Sequence, residues 1–150
     1  MQLTQKEKDL LKDLKDQEQL CIDKYTKHSS CANDAQLKNL FSELASVERG
    51  HLETLTKIER GETVTMQGTG GGSTKSFTAT YDATDSPEKT GDCYLCSDLL
   101  TTEKHASHLY DTCVFEFTDK NARDALNHIQ KEEQEHGKYI YDYMSANYMY

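Results

Sequence analysis

The sequence contains no tryptophan and one proline, and it is instead rich in leucine, lysine, glutamate, aspartate and glutamine, a composition that favours helices. Most of the eight glycines and the single proline fall within residues 61–91, where helical periodicity is nearly absent. A chain of 150 residues has the size of one ordinary domain. We therefore predict one all-α domain whose helices lie on either side of a long connection.

Long hydrophobic runs and basic stretches are also missing. No apolar run approaches the roughly eighteen residues that a membrane span needs, and the N-terminus is charged from Lys6 onward, so we expect neither a span nor a signal peptide. The net charge of −9 argues against nucleic acid and anionic membranes as partners. Five cysteines, an odd number, favour reduced thiols over a disulfide framework. These features indicate an acidic protein that is made, and stays, inside a cell.

Four segments, at about 4–31, 34–60, 93–117 and 119–145, carry apolar residues at the three-four spacing of one helix face. Each apolar face is interrupted near its middle by a glutamate, and in the second and fourth segments a histidine follows three residues later on the same side. The interrupting residues are Glu18, Glu48, His51, Glu103, Glu133 and His136. We therefore expect six polar side chains to point into the core.

The two halves of the chain are in register. An offset of 85 residues places Glu18 on Glu103 and His51 on His136, which indicates a duplicated helical hairpin. Two hairpins joined by a long connection predict a four-helix bundle with a crossover. A helix of about 26 residues is about 39 Å long, a distance that residues 61–91 can span when extended, and we expect this linker to be flexible.

Buried carboxylates need a compensating charge, because an unpaired buried carboxylate costs several kcal/mol. No lysine or arginine lies on the apolar faces near their middle, whereas two divalent cations would balance four glutamates. A Glu from each of two helices plus Glu-x-x-His from each of the other two is the arrangement of di-iron and di-manganese carboxylate bundles. The ligand types favour iron, with manganese or zinc as alternatives. An acidic bundle that stays metal-free by shifting its pKa values is the competing interpretation.

The pseudo-twofold symmetry of the pattern assigns each predicted ligand a role. Glu48 and Glu133 would bridge both metals. One metal would be completed by Glu18 and His51, and the other by Glu103 and His136.

Two further pairs are candidates for a role near the centre. Tyr25 and Tyr110 lie two turns from the glutamates of their helices and could donate hydrogen bonds to ligands, with plain core packing as the alternative. Cys93 and Cys96 form a CxxC at the predicted start of the third helix, where the helix terminus can lower a thiol pKa. A redox pair and ordinary packing are both open. A four-thiolate metal site is not expected, because the sequence holds no second CxxC.

The local sequence resembles a known family. The segments DLKDQEQLCIDKY, LFSELASVERGHLETL, YLCSDLLTTEKHASHLYDTCVFEF and LNHIQKEEQEHGKYIYDYM are similar to the Coat F family of spore coat proteins, within the ferritin-like superfamily. The resemblance covers nearly all of the chain outside residues 61–91. It implies a ferritin-like bundle located in the spore coat, with other coat proteins as partners. Many members of the family lack ligand residues, whereas this sequence keeps all six.

The sequence is also similar to rubrerythrins, with two departures. Ala106 stands where an additional glutamate follows the ligand of the third helix, and no rubredoxin-like segment with two CxxC pairs is present. The resemblance therefore implies a ferroxidase- or peroxidase-like oxidoreductase, protective under oxidative stress, that takes electrons from an external donor or uses iron as its substrate. A structural coat protein with a structural or vestigial metal site is the alternative. Whether helices exchange through residues 61–91 to form a homodimer is open.

Overall fold

The computed structural model describes residues 1–66 and 74–150, and in these residues it shows four α-helices and no β-strand. The helices are α1 (Gln5–Cys31), α2 (Ala35–Glu59), α3 (Pro87–Val114) and α4 (Lys120–Ala146). The predicted all-α class with four helices is confirmed. The middle of the predicted flexible crossover, residues 67–73, lies outside the described residues. None of the four helices combines the length and the hydrophobicity that crossing a membrane requires.

Side-chain caps fix where the helices begin. Thr4 accepts a hydrogen bond from the backbone N–H of Glu7, whose carboxylate accepts one from the N–H of Thr4, and together they form a capping box before α1. Asp34 and Asp119, related by the 85-residue offset, accept hydrogen bonds from the first turns of α2 and α4. Local sequence therefore explains where α2 and α4 begin.

The predicted bounds of the third helix are wrong at both ends. The helix begins at Pro87 instead of 93, after Ser86 caps it by accepting a hydrogen bond from the N–H of Lys89. It ends at Val114 instead of 117. Its first turns bury Lys89 and Asp92 in place of apolar residues, so apolar periodicity does not reveal them.

The helices pack as two antiparallel hairpins. Helix α1 packs mainly on α2 and α3 mainly on α4, while the hairpins meet through α1 against α3 and α2 against α4. Helices α1 and α3 run in opposite directions. This is seen from two contacts: Lys6 pairs with Glu116 at one end of the bundle, and Asn33 contacts Asp92 at the other. Every helix therefore contributes a face to one shared interior.

The described residues form two apolar clusters, one toward each end of the bundle. Members of the cluster near the α1–α2 turn include Tyr25, Leu37, Phe41, Leu99 and Ile140. Members of the other include Leu11, Leu14, Leu55, Phe117 and Leu126. In each helix the interrupting glutamate falls between the stretches that supply these clusters, so the polar residues lie in a layer between two apolar ones.

Two buried carboxylates hold the hairpins to each other. Glu7 Oε2 accepts a hydrogen bond of 3.3 Å from the N–H of Thr118 in the α3–α4 turn. Asp92, at the position related to Glu7 by the offset, accepts hydrogen bonds of 2.8 and 3.0 Å from the N–H groups of Asn33 and Asp34 in the α1–α2 turn. Each hairpin thus supplies a carboxylate that satisfies backbone donors in the turn of the other.

The described parts of the connection contact both ends of the bundle. The backbone of Val64 exchanges hydrogen bonds with the Asn121 side chain at the start of α4. Near the other end, the buried Asn147 side chain accepts hydrogen bonds from the N–H groups of Thr80 and Tyr81. The connection is therefore fixed by side-chain amides on both sides of residues 67–73.

Candidate metal centre

The six side chains that interrupt the apolar faces lie together in the middle of the bundle. Each has at most 3% of its surface exposed. Ligand atoms within 4.8 Å of one another define two groups, Glu18, Glu48, His51 and Glu133 in the first, and Glu48, Glu103, Glu133 and His136 in the second. Glu48 and Glu133 belong to both groups, and these are the residues to which the sequence assigned a bridging role. Metal ligation itself stays a prediction.

Both imidazoles present Nδ1 to two carboxylates. His51 Nδ1 lies 3.1 Å from Glu48 Oε2 and 3.0 Å from Glu133 Oε1. His136 Nδ1 lies 3.1 Å from Glu48 Oε1 and 3.3 Å from Glu103 Oε1. The two rings are nearly parallel, with centroids 6.0 Å apart. Glu48 therefore lies between two imidazoles, each facing one of its oxygens.

Three buried carboxylate oxygens of the cluster have no hydrogen-bond partner among the described residues. They are Glu18 Oε2, Glu103 Oε2 and Glu133 Oε2. A buried oxygen without a donor is costly, and a divalent cation satisfies such oxygens without needing a hydrogen. Four carboxylates with one imidazole per group suit iron or manganese, and zinc is also compatible. The residues present therefore fit two divalent metal ions.

The carboxylates differ in how readily they lose a proton. Burial and the adjacent Glu48 carboxylate together raise the pKa of Glu18 to about 8. Burial and repulsion by Glu103 likewise hold the pKa of Glu133 well above its ordinary value. Burial alone would also raise the pKa of Glu48, but its contacts with Glu18, His136 and His51 outweigh burial and lower that pKa well below its ordinary value.

The histidines are shifted in the direction that favours their charged form. Burial lowers the pKa of an imidazole, but attraction to Glu103 and hydrogen bonds to Glu103 and Glu48 outweigh it and raise the pKa of His136 to about 9. Burial lowers the pKa of His51, but the four carboxylates around its ring outweigh burial and raise that pKa well above its ordinary value. Protons and metal ions therefore compete for the same side chains.

The two tyrosines predicted near the centre contact it from opposite hairpins. Tyr25 of α1 donates a hydrogen bond of 2.5 Å to Glu103 Oε1 of α3. Tyr110 of α3 donates one of 2.5 Å to Glu18 Oε1 of α1. Burial raises the pKa of both hydroxyls well above the ordinary value, so both stay protonated as donors. Each tyrosine fixes the orientation of a carboxylate on the other hairpin.

Sequence reasoning missed Glu132. Its Oε1 lies 3.4 Å from His51 Nε2 and 2.7 Å from His128 Nε2, so it holds the side of the His51 ring that faces away from the cluster. The four-residue spacing of His128 and Glu132 on α4 was the available signal. The 85-residue offset pairs Glu132 with Val47, so no carboxylate stands at the equivalent position near His136.

The CxxC does not open α3, and that premise of the redox prediction is wrong. Cys93 and Cys96 lie in the second and third turns after Pro87, beyond the end of the helix where orphan N–H groups can lower a thiol pKa. Burial instead raises the pKa of Cys96. Both cysteines are free thiols, and Cys93 is half-buried. A redox role for the pair stays a prediction.

Fold and site together define an all-helical bundle with a buried cluster of four carboxylates and two imidazoles. Residues 91–150 match the family model of the Coat F domain, a region that holds nearly all of α3 and the whole of α4. The match supports the relation to the Coat F family and includes Glu103, Glu133 and His136. No curated protein and no solved structure matches the chain.

Proposed function

We propose that this chain is a ferritin-like, di-metal carboxylate protein of the spore coat that oxidises ferrous iron or reduces peroxide or dioxygen. The observation that supports the metal centre most strongly is the pair of four-residue groups that share Glu48 and Glu133. The Coat F domain match supports the spore coat as location and other coat proteins as partners. The contacts of the connection with both ends of the bundle favour a ferritin-like crossover.

Each residue of the cluster has a part in this proposal. Glu48 and Glu133 would be shared by both metals, and each histidine would present Nδ1 to one of them. When bound, a pair of ferrous ions supplies two electrons, enough to reduce one hydrogen peroxide to two waters with uptake of two protons. The hydroxyls of Tyr25 and Tyr110 keep the outer glutamates oriented. An external donor returns the electrons, unless ferrous iron is itself the substrate.

The test of the metal centre is a metal count on matched variants. Glu48→Ala combined with Glu133→Ala removes both shared carboxylates. Glu43→Ala combined with Glu135→Ala removes two glutamates of the same helices that belong to neither group. After anaerobic loading with ferrous iron, mass spectrometry should find two metals per chain in the wild type and in the control, and none in the first variant. Two metals per chain in the first variant would contradict the assignment.

The redox part of the proposal is tested on the iron-loaded wild type. Ferrous oxidation and peroxide consumption should exceed those of free iron at the same concentration, and both should fall to the free-iron rate in the variant without Glu48 and Glu133. If the iron-loaded protein oxidises ferrous iron and consumes peroxide no faster than free iron does, the redox role is contradicted while metal binding still stands.

A structural role in the coat is the second candidate, and the placement of the cluster favours it. The two groups draw ligands from all four helices, between two apolar clusters, so bound metal would link the helices to one another. In that case chelation lowers the melting temperature, because the metal stabilises the native state to which it binds. Turnover of peroxide or of ferrous iron would count against a purely structural role.

A further inference from the structure

A pocket of about 460 Å³ opens between α3 and α4 beside the carboxylate cluster. Its lining includes Glu103 and Glu133, which have 3% and 1% of their surface exposed. Each of these residues also carries an Oε2 atom without a hydrogen-bond partner among the described residues. The pocket therefore leads from the protein surface to two carboxylates that would hold metal.

Two small residues keep this side of the bundle open. Gly137 and Ser107 line the pocket, and the 85-residue offset pairs them with Leu52 and Ile22 of the first hairpin. The two hairpins therefore differ at this point: the first carries the large residues Leu52 and Ile22, and the second carries the small residues Gly137 and Ser107. The small pair stands on the face that has the pocket.

Gly137 is the more informative of the two residues. Glycine in the middle of a helix costs about 1 kcal/mol relative to alanine, so local stability does not explain its presence in α4. A Cβ at this position would lie 3.9 Å from Leu100 Cδ2 of α3. A longer side chain would lean toward the helix N-terminus and cover the turn that carries Glu133. Its absence leaves the gap between α3 and α4 open above that carboxylate.

The charges that line the pocket indicate what it accepts. Lys104 and Lys138 are exposed residues of the lining, and Lys138 is paired with Asp142 at 2.6 Å. Lys104 Nζ lies 6.0 Å from the ring centroid of Tyr141, another lining residue. Ammonium groups beside a path disfavour a further cation and favour a small anionic or neutral molecule.

We propose that the pocket between α3 and α4 admits a small anionic ligand, of the size of azide or hydroperoxide, to metal held by Glu103 and Glu133. The inference rests on the proposed metal centre and adds to it the face of the bundle from which an exogenous ligand binds. It makes Gly137 the residue that decides access. It also makes the two hairpins functionally unequal, because the equivalent face carries Leu52 and Ile22.

The test uses cobalt(II) as the probe metal and azide as the probe anion, with visible absorption reporting azide coordination. Gly137→Leu introduces the residue found at the equivalent position of α2. Azide should bind about ten-fold more weakly to this variant than to the wild type, with the same number of cobalt ions per chain. Gly50→Leu is the matched control, because a Cβ on Gly50 meets no atom within 4 Å and the change in helix propensity is the same. Its azide affinity should equal that of the wild type.

Ser107→Ile, which introduces the residue of the equivalent position in α1, narrows the pocket independently if Gly137→Leu does not fold. Azide affinity equal to wild type in a folded, fully loaded pocket variant overturns the access route and leaves the metal centre standing. If azide does not bind the cobalt-loaded wild type, the access route is likewise overturned and the metal centre still stands. A wild type that binds no cobalt overturns both the centre and the pocket, because no metal is then present to take the ligand.

Discussion

The ring of His51 is held from both sides. Its Nδ1 faces Glu48 and Glu133, while its Nε2 faces Glu132, which His128 contacts in turn. A carboxylate behind a metal-binding histidine fixes the ring and increases its basicity. The described contacts give His136 no such carboxylate at the equivalent place, which Val47 occupies. The two halves of the cluster therefore differ in how firmly their histidine is oriented.

Removing Glu132 should weaken one of the two proposed metal sites and spare the other. We expect Glu132→Ala to lower the affinity of the site that contains His51 by about ten-fold or more, because the imidazole loses its outer partner. Isothermal titration with manganese should then resolve a strong and a weak site. Glu135→Ala, on the same helix, should give the wild-type isotherm. Two sites weakened equally by Glu132→Ala would contradict the assignment.

Removing either buried tyrosine hydroxyl should affect both stability and metal binding. Tyr25→Phe and Tyr110→Phe each delete a donor to a buried carboxylate, and we expect a loss of about 1 to 3 kcal/mol in the unfolding free energy, measured by urea denaturation. Tyr143→Phe is the control, because its hydroxyl donates at 2.7 Å to Asp34, outside the cluster. It should lose stability to a similar extent and keep the metal affinity of the wild type. Unchanged metal affinity in the first two variants would remove the tyrosines from the site.

At the residue level, the sequence predicted which side chains meet, but not everything that surrounds them. Glu18 and Glu133 could be found because each interrupts an apolar series, and an apolar face fixes which way its neighbours point. Glu132 lies beside the apolar face of α4, so apolar periodicity gives no reason to select it. Its role depends on His51 of another helix, a contact between helices that spacing within one helix does not reveal.

At the level of elements, the hairpin turns depend on carboxylates that come from the opposite hairpin. We expect Asp92→Ala to lower the unfolding free energy by about 2 to 3 kcal/mol, because the N–H groups of Asn33 and Asp34 lose their acceptor. Urea denaturation measures the change. Asp82→Ala, which removes an exposed acceptor in the connection, should stay within about 0.5 kcal/mol of the wild type. If both substitutions lowered the unfolding free energy equally, the buried Asp92 contact would contribute no more to stability than the exposed one.

The same contacts explain the error in the bounds of α3. Its first two turns bury Lys89 and Asp92, so they carry polar residues on the side that normally shows apolar ones. The Ser86–Pro87 pair was a helix-start signal of the usual kind, but it stands within a stretch otherwise typical of a loop. Burial of polar groups at a helix start is decided by tertiary contacts, which apolar periodicity cannot detect.

At the level of the whole molecule, the metal-free protein should become less stable as the pH rises. Glu18 has a folded-state pKa of about 8 against an ordinary 4.5. The stability that this shift contributes is therefore fully present below pH 4.5 and is lost as the pH rises through about 8. His136 acts in the same direction: the stability that it contributes is fully present below pH 6.5 and is lost as the pH rises through about 9. Glu48, whose pKa is lowered, loses its contribution only in acid.

Scanning calorimetry on chelator-treated protein should therefore give a melting temperature that falls between about pH 6 and about pH 9. The metal-loaded protein should show a smaller fall, because cations replace the protons that neutralise the cluster. A melting temperature of the metal-free protein that rises over this range would contradict the shifted pKa values of Glu18 and His136.

Neither hairpin holds a complete site. Each four-residue group takes ligands from both hairpins, and each tyrosine orients a glutamate across the interface between them. The chain is in effect a dimer of two related halves joined by a tether. Two identical subunits around a twofold axis must carry the same residue at equivalent places. Covalent linkage removes that requirement, and it allows one half to keep Gly137 and Glu132 where the other has Leu52 and Val47.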